Sequence, residues 1–436
     1  MAPRVEFVEG DTVLPERTDV VVIGGGIVGV STALFLAQKG VPTALCEKGQ
    51  IGAEQSSRNW GWCRTMGRDA REVPLALESL RLWREMNALT GAETGFRAAG
   101  IAYLCDTPQQ LAQHEAWIEA ARVHQVPTRV LGPDEVEQVV PGSARRWAGA
   151  VFTPGDGRAE PTRAAPAIAE AARALGAAIA TTCAVRGIET AGGRVSGVVT
   201  ERGRIACSSV VLAGGAWSRL FCGPLGIDLP QLKVLGSVMR TEPIDGAPDV
   251  ATGASDFAFR KRLDGGYTVA RRGISIADIV PDSFRLLPDF GLSLFRERGE
   301  LRLRIGRRFV EEWRLPRRWP LDAVSPFERV RVLDPEPADD ILDEGQANLE
   351  RAFPAFRGMV VAERWGGLID VTPDAVPVIS PVASLPGFHI ATGFSGHGFG
   401  IGPGAGRLMA QMVMGEPPVV DPAPFRLDRF RATKRH

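Results

Sequence analysis

The fold of this protein is decided by residues 19–47, which read DVVVIGGGIVGVSTALFLAQKGVPTALCE. The short apolar run 19–23 predicts a strand that is buried on both faces of a parallel sheet. Residues 30–39 carry apolar side chains at helical spacing, and Gly40 predicts the end of that helix. A second apolar run, 42–46, predicts the next strand. The order strand, glycine-rich turn, helix, strand is typical of an α/β fold.

The turn between the first strand and the helix carries the pattern GxGxxG at residues 24–29. Gly24 permits the tight turn, Gly26 lets a pyrophosphate approach the backbone, and Gly29 lets the helix pack closely on the strand. The helix N-terminus faces the phosphate charge, and Glu47 can accept hydrogen bonds from a ribose hydroxyl. The unit therefore predicts a binding site for an adenine dinucleotide, either NAD or FAD.

Three later segments favour FAD over NAD. Residues 54–59, which read EQSSRN, can offer hydroxyl and backbone donors to a second phosphate, and the apolar run 209–213 predicts a strand that ends at glycines. Residues 391–400 form a second glycine-rich loop ahead of a helical pattern, in which Pro403 suits the first turn. An NAD fold has no use for that second loop. A flavin site does use such a loop, because a helix N-terminus near the N1/O2 edge of the flavin stabilises the anionic reduced ring.

The glycine pattern with Glu47, the stretch AGGAWS at 213–218 and the stretch SGHGF at 395–399 resemble the D-amino acid oxidase superfamily of FAD enzymes. That superfamily includes glycine and sarcosine oxidases and amino acid dehydrogenases. The more specific resemblance is to bacterial L-amino acid deaminases, in the stretches 7–10, 183–193, 211–221, 363–366 and 421–430. The resemblance covers nearly the whole chain. It implies an α/β (α+β) fold, with a Rossmann-like FAD-binding domain and a second, sheet-containing substrate domain.

The cofactor segments lie at both ends and in the middle of the chain, so the predicted FAD-binding domain is discontinuous. The predicted boundaries place residues 1–95, 150–228 and 372–436 in the FAD-binding domain and residues 96–149 and 229–371 in the substrate domain. Strands of the second sheet are predicted at 232–240 and 267–271. A basic, Arg/Trp-rich insertion is predicted around 283–333, where the deaminases carry an extra segment.

The motifs and the resemblance together predict a set of FAD-contacting residues. They are Gly24, Gly26, Ile27, Val28, Gly29, Glu47, Lys48, Ser56, Ser57, Arg58, Val185, Ala213, Gly214, Trp217, Gly366, Gly393, Gly396, His397, Gly398 and Phe399. Two interpretations of His397 stay open, a cation near N1 of the flavin or a residue that packs the loop. No cysteine lies near Gly367, where sarcosine-oxidase-like relatives would attach the cofactor, so non-covalent FAD is predicted.

The resemblance implies that hydride leaves the substrate Cα for flavin N5, so that the protein mainly positions the reactants. Arg272 aligns with the carboxylate-binding arginine of the deaminases, and Arg271 is the alternative. Trp365 matches a tryptophan of the deaminase substrate pocket, with core packing as its alternative, and Trp62 is a second candidate for the pocket wall. Arg64 is a candidate second cation.

A basic segment at 296–319 holds nine arginines and four glutamates. Ile305, Phe309 and Trp313 recur every four residues in it, which predicts a helical stripe. Such a segment can lie on a membrane surface. Because the whole chain has no net charge, the favoured alternatives are a pocket lid and a subunit contact. A subunit contact would make the protein a homo-oligomer.

Composition excludes several function classes. The 436-residue chain has 51 Lys+Arg and 51 Asp+Glu, and this balance argues against nucleic acid as a partner. No apolar run reaches the length of a membrane span, and residues 1–17 lack the apolar core of a signal peptide and the hydrophobic anchor of the deaminases. The five histidines show no ligand spacing, so no metal site is predicted. A cytoplasmic location is expected, with peripheral contact at the inner membrane left open.

The expected function is FAD-dependent oxidative deamination of an L-α-amino acid to a 2-oxo acid and ammonia. The acceptor that reoxidises the flavin is O2 or a quinone-type molecule. Oxidation of a D-amino acid or an N-methyl amino acid of the glycine/sarcosine type is the nearest alternative, because the fold does not determine the enantiomer. An FAD-dependent 2-hydroxy acid dehydrogenase and a non-catalytic FAD-bound interaction protein are more distant alternatives.

Overall fold

The computed structural model describes residues 3–296, 299 and 301–432. Its first sheet has six strands, which run parallel except for the antiparallel pair at one edge. From that edge the strand order is Val378–Pro381, Phe388–Thr392, Ser209–Leu212, Val20–Ile23, Thr43–Cys46 and Ala178–Ala180. Segments from both ends and from the middle of the chain therefore share one sheet.

The βαβ unit near the start of the chain forms the centre of this sheet. Val20–Ile23 and Thr43–Cys46 are buried throughout, and the helix Ile27–Gln38 between them is buried along nearly its whole length. A Cβ on Gly29 would lie 2.0 Å from the carbonyl oxygen of Gly24, so only glycine permits this approach of helix to strand. The predicted α/β fold is confirmed, although the helix begins three residues before the predicted start.

The second, larger sheet is built around two long antiparallel strands, Leu232–Thr241 and Val361–Val371. From edge to edge, the strand order is Leu301–Arg304, Ser275–Asp278, Leu232–Thr241, Tyr267–Ala270, Ala258–Lys261, Ala251–Gly253, Ile101–Cys105, Gly149–Thr153 and Arg129–Leu131. The strand Val361–Val371 lies off this path and pairs with Leu232–Thr241. The strand Gly149–Thr153 lies across the predicted boundary between residues 149 and 150. The division into two domains otherwise stays a proposal.

Two small sheets and a set of helices complete the fold. The small sheets comprise Val185–Ala191, Arg194–Thr200 and Gly203–Ala206, and Trp62–Cys63 with Gly157–Arg158. In the described ranges the α-helices are Ile27–Gln38, Gln55–Arg58, Val73–Thr90, Pro108–Ala121, Pro133–Val139, Pro161–Ala174, Ser218–Cys222, Pro281–Arg285, Leu287–Arg296, Arg307–Arg314, Pro326–Arg329, Asp339–Ala352, Gly398–Met414 and Arg429–Ala432. Within those ranges, we find no helix whose length and apolar character would let it cross a bilayer.

The last long helix differs from the prediction. It begins at Gly398, so Pro403 lies inside the helix and not in its first turn. Proline has no N–H to donate to the carbonyl four residues earlier, so this helix lacks one backbone hydrogen bond at Pro403. The helix N-terminus therefore directly follows the glycine-rich loop.

The basic segment forms several short elements in place of one helix. Ile305 lies between the strand Leu301–Arg304 and the helix Arg307–Arg314 and is 75 % exposed, so the predicted stripe does not extend to it. Phe309 and Trp313 do share that helix, and their rings stack with centroids 6.0 Å apart. Residues 297, 298 and 300 of the segment, like residues 433–436 of the predicted FAD-binding domain, lie outside the described residues.

We expect His389, on the strand Phe388–Thr392, to make the stability of the folded protein depend on pH. Burial lowers the pKa of His389 to about 4 from an ordinary value of 6.5, and its Nδ1 has no hydrogen-bond partner in the described residues. Between these values the unfolded chain binds more protons than the folded chain, so stability falls as pH falls through this window. Urea unfolding of H389L is expected to show a smaller loss of stability from pH 7 to pH 5 than the parent protein. An equal loss in both proteins would contradict this.

Candidate active site

A large cavity lies at the carboxyl ends of the central parallel strands, Val20–Ile23 and Thr43–Cys46. Strand order reverses here, because Thr43–Cys46 and Ser209–Leu212 lie on opposite sides of Val20–Ile23, and ligands bind at such points in open α/β sheets. The cavity has a volume of about 380 Å³ and reaches the second sheet, where Ser237 and Val238 line it. Both sheets thus contribute to one site.

Most of the predicted site residues line this cavity. They are Gly24, Gly26, Ile27, Val28, Glu47, Lys48, Ser56, Arg58, Trp62, Val185, Ala213, Gly214, Trp217, Arg271, Gly396, Gly398 and Phe399. Seven predicted residues are not among the lining residues that the structure describes. They are Gly29, Ser57, Arg272, Trp365, Gly366, Gly393 and His397.

The turn after the first strand forms a cradle that suits a pyrophosphate. Gly24 has a φ of +109°, and a Cβ there would lie 2.4 Å from the carbonyl oxygen of Ala213. A Cβ on Gly26 would meet only Ser56 Oγ, at 3.1 Å, because the glycine faces the cavity. Ile27 N–H donates to Ser56 Oγ at 2.9 Å and begins the helix whose positive end faces the cradle. The space and the charge fit the diphosphate of FAD.

Glu47 stands at the end of the second strand, beside this cradle. Its Oε2 accepts from Gly25 N–H at 2.6 Å and its Oε1 accepts from Gly49 N–H at 2.7 Å. Burial raises the pKa of Glu47, which Lys48 and the two backbone bonds partly offset. The carboxyl is therefore held in one orientation at the cavity wall, where the motif predicts that it binds a ribose.

The wall beyond Glu47 is held by a group of polar contacts around Glu54. Lys48 Nζ lies 2.6 Å from Glu54 Oε1 and 4.6 Å from the ring centroid of Trp217. The Trp217 indole N–H also donates to Glu54, at 3.1 Å. Glu54 was not among the predicted site residues, although it lies in the predicted stretch 54–59.

The second glycine-rich loop is positioned by a buried carboxylate that sequence reasoning missed. Asp370 Oδ2 accepts from Gly393 N–H at 2.7 Å, from Gln231 Nε2 at 2.8 Å and from Thr392 Oγ1 at 3.1 Å. Gly393 has a φ of +74°, and a Cβ there would lie 2.4 Å from Thr372 Cγ2. Gly393 therefore shapes the loop, while the cavity wall is formed by later loop residues.

His397 lies behind the loop and pairs with Glu72. Its Nδ1 lies 3.1 Å from Glu72 Oε2, and burial lowers the pKa of His397 to about 4. The ring is therefore neutral at physiological pH. This favours loop packing over a cation near the flavin.

Trp365 and Gly366 support the cavity wall from behind. Trp365 is 2 % exposed and its indole N–H donates to the Arg58 carbonyl at 3.0 Å, which favours core packing, the alternative interpretation, over a place in the pocket wall. The Gly366 carbonyl accepts from Arg58 Nη1 at 2.8 Å, and a Cβ on Gly366 would lie 2.6 Å from the Pro335 carbonyl oxygen. The next residue, Gly367, lines the cavity in its place.

Two more predicted residues outside the lining have structural contacts. Gly29 packs its helix against the glycine turn, as the motif predicts. Ser57 is buried, and its hydroxyl donates to the Glu54 carbonyl at 3.2 Å. Ser56, and not Ser57, therefore faces the cradle.

The two neighbouring arginines of the predicted carboxylate clamp have different surroundings. Arg271 lines the cavity, but its Nε lies 3.1 Å from Glu344 Oε1 and its Nη1 donates to the Ser255 carbonyl. The Arg272 guanidinium lies 3.9 Å from the ring centroid of Tyr103, and its Nη1 donates to the Ala254 carbonyl at 3.2 Å. No carboxylate pairs with Arg272 in the described part of the chain.

Arg272 lies near Trp62, and Trp62 lines the cavity. A Cβ added to Gly253 would lie 3.1 Å from Trp62 Cη2 and 3.4 Å from Arg272 Cδ, so the two side chains meet at this glycine. Trp62 lines the cavity together with Arg64 and Arg68. Arg64 is the predicted candidate for a second cation, whereas nothing in the sequence around Arg68 marks it as a site residue.

Comparison with known proteins agrees with this geometry. The family model described as FAD dependent oxidoreductase (DAO) matches residues 19–412. A solved structure of L-amino acid deaminase from Proteus myxofaciens, in complex with anthranilate, is 38 % identical with a TM-score of 0.95, covering 99 % of this chain and 97 % of that chain. The L-amino acid deaminase from Proteus vulgaris is 33 % identical with a TM-score of 0.93, covering 97 % and 100 %.

Other relatives widen the comparison beyond the deaminases. Glycine oxidase from Pseudomonas aeruginosa is 26 % identical over 93 % of this chain and 97 % of that protein. The predicted family resemblance and the prediction of FAD as cofactor are confirmed by the family match. The chain belongs to the DAO family of FAD-dependent oxidoreductases.

Proposed function

We propose that this protein oxidises an L-α-amino acid to a 2-oxo acid and ammonia. The observation that carries this proposal is the similarity to the Proteus myxofaciens L-amino acid deaminase over 99 % of the chain. The amino acid loses a hydride from Cα and a proton from its amine, and water hydrolyses the resulting imino acid to the 2-oxo acid and ammonia. Bound FAD would supply the two-electron acceptor for this hydride, at N5 of the flavin, with O2 or a quinone-type molecule as the final acceptor.

The residues proposed to hold FAD divide into three groups along the cavity. The glycine turn at Gly24 and Gly26 takes the pyrophosphate, Glu47 takes the ribose, and the loop 396–399 faces the flavin. Attachment is proposed to be non-covalent. Sarcosine-oxidase-like relatives would carry the attachment cysteine near Gly367, but this residue lines the cavity without a side chain. A Cβ there would lie 3.1 Å from Arg58 Cβ.

Arg272 is proposed as the clamp for the substrate carboxylate. Its guanidinium has no carboxylate partner in the described residues, whereas Arg271 is already paired with Glu344. A planar guanidinium can form two parallel hydrogen bonds to a carboxylate. Its position over Tyr103 and beside Trp62, which lines the cavity, supports this assignment.

Anaerobic reduction by paired enantiomers tests the proposed function. The holoenzyme is mixed separately with the L- and the D-form of each amino acid, and the flavin absorbance at about 450 nm is followed. We expect bleaching with L-amino acids only. Bleaching by D-amino acids, glycine or sarcosine alone would identify the glycine-oxidase-like alternative, and bleaching by 2-hydroxy acids alone would identify a hydroxy acid dehydrogenase.

A further inference from the structure

One end of the cavity contains buried donors that lack acceptors. Arg68 Nε, Arg68 Nη1 and the Trp62 indole Nε1 have no hydrogen-bond partner in the described residues. Arg68 is 3 % exposed and Trp62 is 7 % exposed, and both line the cavity. Buried donors are nearly always satisfied, because leaving one without an acceptor is costly. An acceptor that is not part of this chain is therefore expected here.

Positive charge collects at this end of the cavity, and the carboxylates of Glu72 and Asp156 act on Arg68 without forming an ion pair with it in the described residues. Arg64, Arg68 and Arg272 have no carboxylate partner in the part of the chain that the structure describes. The guanidinium carbons of Arg272 and Arg64 lie 3.9 Å and 5.6 Å from the ring centroid of Tyr103. The Arg64 Nη1 donates to the Met66 carbonyl, which carries no charge.

The two carboxylates that act electrostatically on Arg68, Glu72 and Asp156, each have a hydrogen-bond partner of their own. Glu72 Oε2 lies 3.1 Å from Nδ1 of the neutral His397 ring. Asp156 Oδ1 accepts from the backbone N–H and the hydroxyl of Thr65, both at 2.8 Å, and its Oδ2 accepts from Met66 N–H at 3.1 Å. The missing acceptor is therefore expected to be an anionic group of a bound molecule.

The electrostatics of Arg68 agree with a bound anion. Burial and the neighbouring Arg64 guanidinium lower the pKa of Arg68 to about 9, so the side chain remains charged at neutral pH. An anion between the two guanidinium groups would offset both effects, because it solvates the buried charge and screens the repulsion.

We propose that Arg64, Arg68 and the Trp62 indole form a second carboxylate subsite, which binds an acidic side chain of the substrate. This rests on the proposed function, in which Arg272 holds the α-carboxylate. Because Arg64 and Arg272 both lie within about 6 Å of one aromatic ring, a small dicarboxylic molecule can reach both subsites. The substrate class is therefore L-amino acids of the aspartate or glutamate type.

Ligand binding tests the subsite without turnover. The FAD-loaded protein is titrated with succinate and with butyrate, which have the same number of carbons, and the flavin absorbance change is followed. We expect succinate to bind at least tenfold more tightly, and R68M to lose this preference while butyrate affinity stays unchanged. Equal binding of the two acids, no binding of either, or an equal loss of both in R68M would overturn the proposal.

Turnover provides the second test. The kcat/KM values of L-glutamate and L-norvaline are compared in the parent protein, R68M, R68K and R122M, the last being a control at an exposed arginine. We expect R68M to lower the value for glutamate at least tenfold and to leave norvaline unchanged, with partial recovery in R68K. Loss of FAD from a folded R68M protein would mean that the unpaired donors bind the cofactor, and it would overturn the proposed subsite.

The two tests separate the subsite from the reaction. If no L-amino acid reduces the flavin, the proposed function fails, but the succinate titration still decides whether the subsite exists. If L-amino acids reduce the flavin and acidic ones have no advantage, the proposed function stands and the second subsite fails.

Discussion

Replacement of Gly26 by valine is expected to abolish FAD binding while leaving the protein folded. The backbone at Gly26 has φ −71° and ψ 171°, an extended conformation that valine adopts readily. A Cβ at this position would meet only Ser56 Oγ, at 3.1 Å, so the chain can accommodate it. The methyl groups would then occupy the space that the pyrophosphate needs, and no backbone N–H could be approached.

Two other glycines provide matched controls for this variant. Gly223 has no heavy atom within 4 Å of an added Cβ, so G223V is expected to retain FAD. A Cβ on Gly29 would lie 2.0 Å from the Gly24 carbonyl oxygen, so G29V is expected to disturb the fold itself. The ratio of flavin to protein absorbance and the thermal midpoint of the apoprotein distinguish these outcomes. A yellow G26V protein would contradict the cradle assignment.

The first βαβ unit could be predicted because its determinants are local. The apolar run before Gly24, the helical spacing and the glycines each act within a few residues, so the predicted strand 19–23 agrees with Val20–Ile23 to within one residue. The second glycine-rich loop was also visible, since a glycine cluster ahead of a helical pattern is a local signal. Only the predicted start of its helix is wrong, because Pro403 suits a first turn but lies in the helix interior.

Contacts between distant segments could not be predicted. Asp370 holds the loop at Gly393 through a strand that pairs with Leu232–Thr241, and no local pattern indicates that pairing. Trp365 lies on the same strand, and its burial against Arg58 depends on how two segments more than 300 residues apart meet. The resemblance implies a pocket-wall role for this tryptophan, whereas its surroundings favour the alternative of core packing.

The distinction between Arg271 and Arg272 illustrates the same limit. Strand alternation predicts that they point to opposite faces, but the strand ends at Ala270, so both lie beyond its last residue. Which arginine is neutralised depends on Glu344, from a helix some seventy residues later in the chain. Sequence pattern alone therefore left both as candidates.

Replacement of Arg272 by methionine is expected to raise the KM for the amino acid substrate by about 10²-fold or more, with a smaller effect on FAD content. Methionine keeps an apolar stem against Tyr103 but removes the charged donors. Each charge-assisted hydrogen bond contributes about 1.5–3 kcal/mol, and a bidentate clamp loses two of them. Steady-state kinetics with an apolar L-amino acid, which makes no use of a second subsite, measures the effect of the clamp alone.

R271M and R272K complete this experiment. R271M removes the contact to Glu344 and is expected to leave KM within about threefold, because a partly exposed ion pair contributes little. R272K keeps the charge but loses the planar fork, so its KM is expected to lie between those of the parent protein and R272M. An unchanged KM in R272M together with a large increase in R271M would move the α-carboxylate clamp to Arg271, and would require Arg271 to exchange Glu344 for the substrate.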